Sequence, residues 1–127
     1  MTYGTLNSDV IQSSTAGTPP QFNDGSNTQI GTLCRAWVNF NGTSGVVIRA
    51  SFNVSSVTRS AAGQYTFNFS TAMPDANYAA VGNAEYDGVS FGAYSKNFTT
   101  TSFIIQCINP ALNTYVDKAY VCISIFR

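Results

Sequence analysis

From residue 33 onward, polar and apolar residues exchange places with a period of two along most of this chain. In LCRAWVNF one face carries Cys34, Ala36, Val38 and Phe40, and the other Leu33, Arg35, Trp37 and Asn39. Successive side chains on a strand point to opposite sides, so this pattern predicts a half-buried β-strand. NGTSG supplies a turn, and VVIRASF resumes the alternation with Val46, Ile48, Ala50 and Phe52 on one face, which predicts a hairpin. FNVSSVT continues or bends that strand, RSAAGQ turns, and YTFNFS sets Tyr65, Phe67 and Phe69 against Thr66, Asn68 and Ser70. Pro74 and Asp75 break the next stretch; YAAVGNA and FGAYSKNF read as strands around the turn-like YDGVS. The last two strands, TTSFIIQCI and TYVDKAYVCISIF, flank an NPALN turn. Helical spacing with caps occurs nowhere. The expected fold is all-β, an antiparallel β-sandwich of about 7–8 short strands.

The segment before residue 31 has a different character. STAGTPPQFNDGSNTQ is a string of turn formers in which Pro19-Pro20 and Asp24-Gly25 act as breakers. Its apolar residues, chiefly Leu6, Val10, Ile11, Phe22 and Ile30, are too few to close a core against the entropy of ordering the chain. Residues 1–30 are therefore expected to form an extended arm with one short strand near Asp9 to Ser13, and residues 31–127 the sandwich domain.

Composition narrows the function classes. The chain has 127 residues, enough for one domain that buries roughly two-thirds of its unfolded surface. Six basic residues balance six acidic ones, so no excess of cations favours nucleic acid or a charged membrane surface. No stretch is apolar enough for a membrane span, and the N-terminus lacks a secretory signal pattern. A surface this poor in like charges suits a protein that packs against others. Histidine is absent, which removes the commonest general base and metal ligand. Cys34, Cys107 and Cys122 are far apart and each sits in an apolar run, so buried free thiols are expected rather than a zinc site. No cofactor is expected.

The remaining chemistry is thin. Glu85 and Asp87 in EYDG are two apart but have no supporting groups, and read as a solvated turn. Ser95 and Lys96 are adjacent on a strand and point to opposite faces, so they cannot form a nucleophile–base pair. Four N-x-[ST] sequons, at Asn41, Asn53, Asn68 and Asn97, are what a chain this rich in Asn, Ser and Thr produces by chance. These readings argue against an enzyme. Most aromatics alternate with polar residues as core positions do; Tyr3, Tyr86 and Tyr94 do not, and Tyr86 with Tyr94 forms a candidate ligand loop.

Residues 33–82, LCRAWVNFNGT…VVIRASFNVSSVTRSAAGQYTFNFSTAMPDANYAAVG, together with the closing YVCISIFR, resemble a segment shared by tail-fibre tips and small virion-surface proteins of tailed bacteriophages. The resemblance implies a β-sandwich, trimeric in many members, without enzymatic activity. Within these 127 residues no stalk repeat or coiled-coil heptad is read, and no tail-attachment domain is expected. An arm plus a compact β-body is what a capsid decoration (cement) protein needs, made in the bacterial host cytoplasm and placed on the virion surface. Its expected partners are itself, as a homotrimer, and the major capsid protein, with Leu6, Val10, Ile11 and Phe22 as the capsid-docking residues. The alternative is a tail-fibre or receptor-binding tip whose Tyr86 and Tyr94 contact a host surface glycan; a free-standing lectin is a third class.

Trp37, the chain's single tryptophan, falls on the face away from Ala36, Val38 and Phe40. A ring there must be covered by the arm, a neighbouring subunit or a ligand. It is expected to be a packing anchor, with Arg35 able to stack on an aromatic or bridge to a carboxylate.

Overall fold

The computed structural model describes residues 7–12, 14, 20, 22–23, 25–26, 29–85, 92–109 and 111–127. The chain divides into two compact units, Met1–Leu33 and Cys34–Arg127. In the first, Phe22–Asn23 (β1) and Gln29–Gly31 (β2) form a small antiparallel pair. The strand expected near Asp9 to Ser13 is not found over 9–12, and Ser13 lies outside the described residues. There the Ser8 hydroxyl bonds locally, donating to the Val10 carbonyl and accepting from its N–H. Such side-chain bonds compete with ladder formation.

The second unit is all-β among its described residues. Its strands are Cys34–Asn41 (β3), Val47–Phe52 (β4), Val54–Ala61 (β5), Gln64–Phe69 (β6), Ala79–Ala84 (β7), Gly92–Lys96 (β8), Ser102–Asn109 (β9), Thr114–Tyr115 (β10) and Val121–Phe126 (β11). Eight of them lie in the order β4-β3-β11-β7-β8-β9-β6-β5, all antiparallel, and β10 pairs with β9. The eight fall into two halves of four. Between the halves only one β7–β8 register pair is described, Asn83↔Gly92. The two ends of the order, β4 and β5, are successive in the chain and meet at Asn53, whose φ of 54° turns the corner. Asparagine tolerates this left-handed conformation better than most residues. Its side chain braces the bend: Nδ2 donates to the Arg35 and Thr71 carbonyls, both at 3.2 Å, and Oδ1 accepts from the Thr71 N–H at 2.7 Å.

The inward rows enclose one core. Ala36, Val38 and Phe40 of β3 and Val121, Ile123 and Ile125 of β11 supply one side; Tyr65, Phe67 and Phe69 of β6 and Phe103, Ile105 and Cys107 of β9 supply the other. Phe40 meets Tyr65 edge-on at 5.0 Å although their strands are distant in the sheet order, so the core joins the two halves. Phe67, Phe69, Tyr78, Phe98 and Phe103 form a second group of rings, with Phe67 and Phe103 stacked at 4.7 Å.

Two strand expectations need correction. A bulge between Asn39 and Phe40 of β3 and their β4 partners leaves Arg49 without a register partner, so Phe40 faces Ile48 while Asn39 faces Ala50 and Trp37 faces Phe52. The row Val46, Ile48, Ala50, Phe52 is therefore split: an extra residue reverses the side to which the following positions point. The expected last strand from Thr114 to Phe126 is broken as well, into β10 and β11 with 116–120 between them. The reason is Asp117, which is drawn into a side-chain cluster. Its carboxylate accepts from Arg59 Nε (3.1 and 3.0 Å) and Nη2 (2.9 Å), from the Gly63 N–H (2.8 Å) and from the Tyr65 hydroxyl (2.5 Å).

Candidate functional site

Burial pushes the Asp117 carboxyl up, but hydrogen bonds from Arg59, Tyr65 and Gly63 and the Arg59 charge outweigh it, leaving its pKa below the ordinary value. Burial, then the bond to Asp117, raises that of Tyr65. Both oxygens of Asp117 are thus engaged by the fold, and Gly63, at φ 61°, has no room for a Cβ, which would lie 2.5 Å from the Val116 nitrogen. This cluster locks the β5–β6 turn to the segment before β11. Glu85, expected in a solvated turn, instead braces the same segment, its Oε2 accepting the Ala119 N–H at 3.1 Å. Asp87 lies outside the described residues.

The thiols are free, as expected, but only one is fully buried. Cys107 is buried and its pKa is raised to about 11 by desolvation, but Cys34 and Cys122 are only half-buried. All three are free, and Cys122 lies opposite Asn39 and Asn83 on the outward side. Among the described residues no group of three or more His, Cys, Asp or Glu is placed to hold a metal, and no helix is long and apolar enough to cross a membrane.

Surface chemistry is divided between the outward faces of the two halves. On the first, register places Phe52, Trp37, Ser124 and Val81 in one row across β4, β3, β11 and β7. Phe52 is 55% exposed, Trp37 38% and Val81 61%. The next row is Ala50, Asn39, Cys122 and Asn83. Val81, Gly82, Asn83, Cys122, Ser124 and Phe126 line a shallow hollow of about 360 Å³ on this half. Arg49 holds its guanidinium 4.1 Å over the Tyr120 ring and donates to Asn39 Oδ1 at 3.2 Å. The cation described on an aromatic is therefore Arg49; Arg35 has a buried Nη1 with no hydrogen-bond partner. Bringing Trp37 beside Phe52 is a product of the β3–β4 register, which the bulge sets.

On the second half the outward rows are mostly hydroxyls and amides: Thr58, Thr66, Ile104 and Lys96 in one, and Gln64, Gln106 and Tyr94 in another. Gln106 Nε2 donates to Gln64 Oε1 at 3.0 Å, and Asn68 Nδ2 to Ser56 Oγ at 3.0 Å. Tyr94, Gln106, Ile108, Asn113 and Tyr115 surround a hollow of about 310 Å³.

Of the residues singled out from the sequence, Trp37 and Tyr94 are exposed on opposite halves of the body and belong to no common site. Val10, Ile11 and Phe22 are exposed in the N-terminal unit. Leu6, Tyr3 and Tyr86 lie outside the described residues. Sequence reasoning missed Phe52, Val81 and Tyr115. Phe52 was hidden by the bulge, and Tyr115 by the apparent continuity of the last strand; Val81 stood in an apolar run without clear alternation. No family model, curated protein or solved structure matches this chain.

Proposed function

We propose that this chain is a structural virion protein of a tailed phage, a capsid decoration protein that stabilises the outer shell without catalysing a reaction. The observation that carries the reading is the exposed pair Phe52 and Trp37, with Val81 beyond Ser124 in the same row, on an outward sheet face. Large apolar side chains exposed side by side suit an interaction site, and burial of side chains of this size contributes on the order of 1–2 kcal/mol each. Register places no carboxylate in the two rows. In this reading copies of the chain cover the face in a homotrimeric sandwich assembly, with Trp37 as its anchor, while Val10, Ile11 and Phe22, with Leu6, dock the N-terminal segment on the major capsid protein. Copies arrayed on a shell bind with avidity, so each contact need only be modest.

Quantifying the protein in purified particles tests this directly. A decoration protein approaches the copy number of the major shell protein; a band at the level of a minor tail component would overturn the reading. In the full chain, the Val10→Ser, Ile11→Ser, Phe22→Ser triple variant is expected to keep its assembly state and lose binding to undecorated shells. The second reading, a receptor-binding tip, is favoured by exposed Tyr94 beside the amides of the opposite face.

A further inference from the structure

We propose that the hollow between Tyr94 and Tyr115 on the outward face of β8, β9 and β10 is a binding site for an uncharged saccharide. Antiparallel pairing builds it. Gln106 of β9 lies opposite Tyr94 of β8, and Ile108, two residues further along the same face, lies opposite Tyr115 of β10. The two tyrosines, 54% and 41% exposed, thus flank a floor made by Gln106 and Ile108, with Asn113 at the rim. The volume of about 310 Å³ lies at the small end of the range for ligand clefts, about 300–1,000 Å³.

The lining specifies the ligand class. Aromatic rings carried on strands offer flat, apolar surfaces of the kind that cover the C–H faces of a pyranose. The side-chain amides of Gln106 and Asn113 carry both donors and acceptors, which suits hydroxyl groups that do both. Gln106 is held by its bond to Gln64, which uses Nε2 and leaves Oε1 to accept from a ligand. The rim is fixed too: Asn109 Oδ1 accepts from the Ala111 and Leu112 N–H groups at 3.0 and 3.3 Å, and Asn113 takes the left-handed conformation that closes the hairpin. No charged side chain lines the hollow. A phosphate, sulfate or sialic-acid carboxylate would find no cation there, and an apolar peptide would leave the amides unpaired.

This site lies on the opposite half from Trp37 and Phe52 and does not rest on the assembly reading. The test uses the full chain on a printed array of neutral, sialylated and sulfated glycans, followed by solution titration of the strongest neutral glycan as the free saccharide. Free saccharide removes any contribution of avidity. Binding is expected for neutral glycans, weakened about tenfold or more by Tyr94→Ala and by Tyr115→Ala. Tyr94→Phe and Tyr115→Phe retain the ring and are expected to stay within about threefold. Trp37→Glu, on the other half, is expected to leave saccharide binding unchanged. Retention of no neutral glycan, a preference for the charged ones, or neutral binding that survives both alanine changes overturns the proposal. Melting curves of each variant establish that it is folded. A glycan-binding chain that stays monomeric would sink the assembly reading alone, and an assembling chain that ignores neutral glycans would sink this one alone.

Discussion

The two outward faces of the β-body differ most in one row each. Across β4, β3, β11 and β7 the row Phe52, Trp37, Ser124 and Val81 leaves large apolar groups in water; across β5, β6, β9 and β8 the row Thr58, Thr66, Ile104 and Lys96 is mostly polar. Both inward faces are apolar and meet in one core. Core formation therefore explains the inward rows of β3, β6, β9 and β11 and says nothing about their other sides. A face whose composition the core does not require is where partner binding leaves its mark. On the second face the exposed aromatic rings are the pair of tyrosines around Gln106.

The largest effect is expected from breaking what the faces share. Phe67 is fully buried, with its ring against Phe69 and Phe103. Phe67→Ala is expected to cost about 3–5 kcal/mol in urea unfolding, with fluorescence of Trp37 and far-ultraviolet dichroism changing together. Two separated transitions would mean that the halves fold independently and that the two faces belong to separate cooperative units.

Next in size is the Asp117 cluster, which holds the turn between β5 and β6. Asp117→Ala is expected to cost about 1.5–3 kcal/mol, since charged hydrogen bonds are lost and Tyr65 loses its acceptor. The sign of the pH effect follows from the lowered folded pKa. The contribution is fully present above the ordinary carboxylate value of 3.8 and disappears as the pH falls through the lower folded value. Melting temperature measured from neutral pH downward should therefore fall more steeply in the parent chain than in Asp117→Ala below that value. Equal slopes would remove Asp117 from the account. Asp75, held to about 2 by its bonds from Arg127 and the Asn77 N–H, is solvent-exposed and adds little to this slope.

The smallest effect on the single chain should come from the apolar face itself. Trp37→Glu with Phe52→Glu is expected to change monomer stability by less than about 1 kcal/mol, because neither side chain enters the core. The same pair is expected to convert an assembled species to monomer in sedimentation velocity. An unchanged association state would show that the apolar face is not the contact between copies.

Much of the core could be read from alternation alone. Ala36, Val38 and Phe40, Tyr65, Phe67 and Phe69, and Val121, Ile123 and Ile125 alternate with polar or small residues and are buried as that pattern requires. The eight strands of the main order correspond to the expected seven or eight. The N-terminal segment was read less well, because a two-strand pair as short as Phe22–Asn23 with Gln29–Gly31 leaves no periodic trace. The candidate sites were only half visible: Trp37 and Tyr94 stood out as aromatics with no core position, but their neighbours did not.

What the sequence determined by itself is the inward rows of β3, β6 and β11, since a period of two and the hydrophobic effect together leave one side of such a strand to be buried. Tertiary structure decided the pairings. A single bulge in β4 turned Phe52 to the side of Trp37, and capture of Asp117 by Arg59, Tyr65 and Gly63 cut the last strand so that Tyr115 paired with Ile108 within reach of Tyr94. Register and long-range hydrogen bonds depend on residues far apart in the chain, and local alternation carries no record of them.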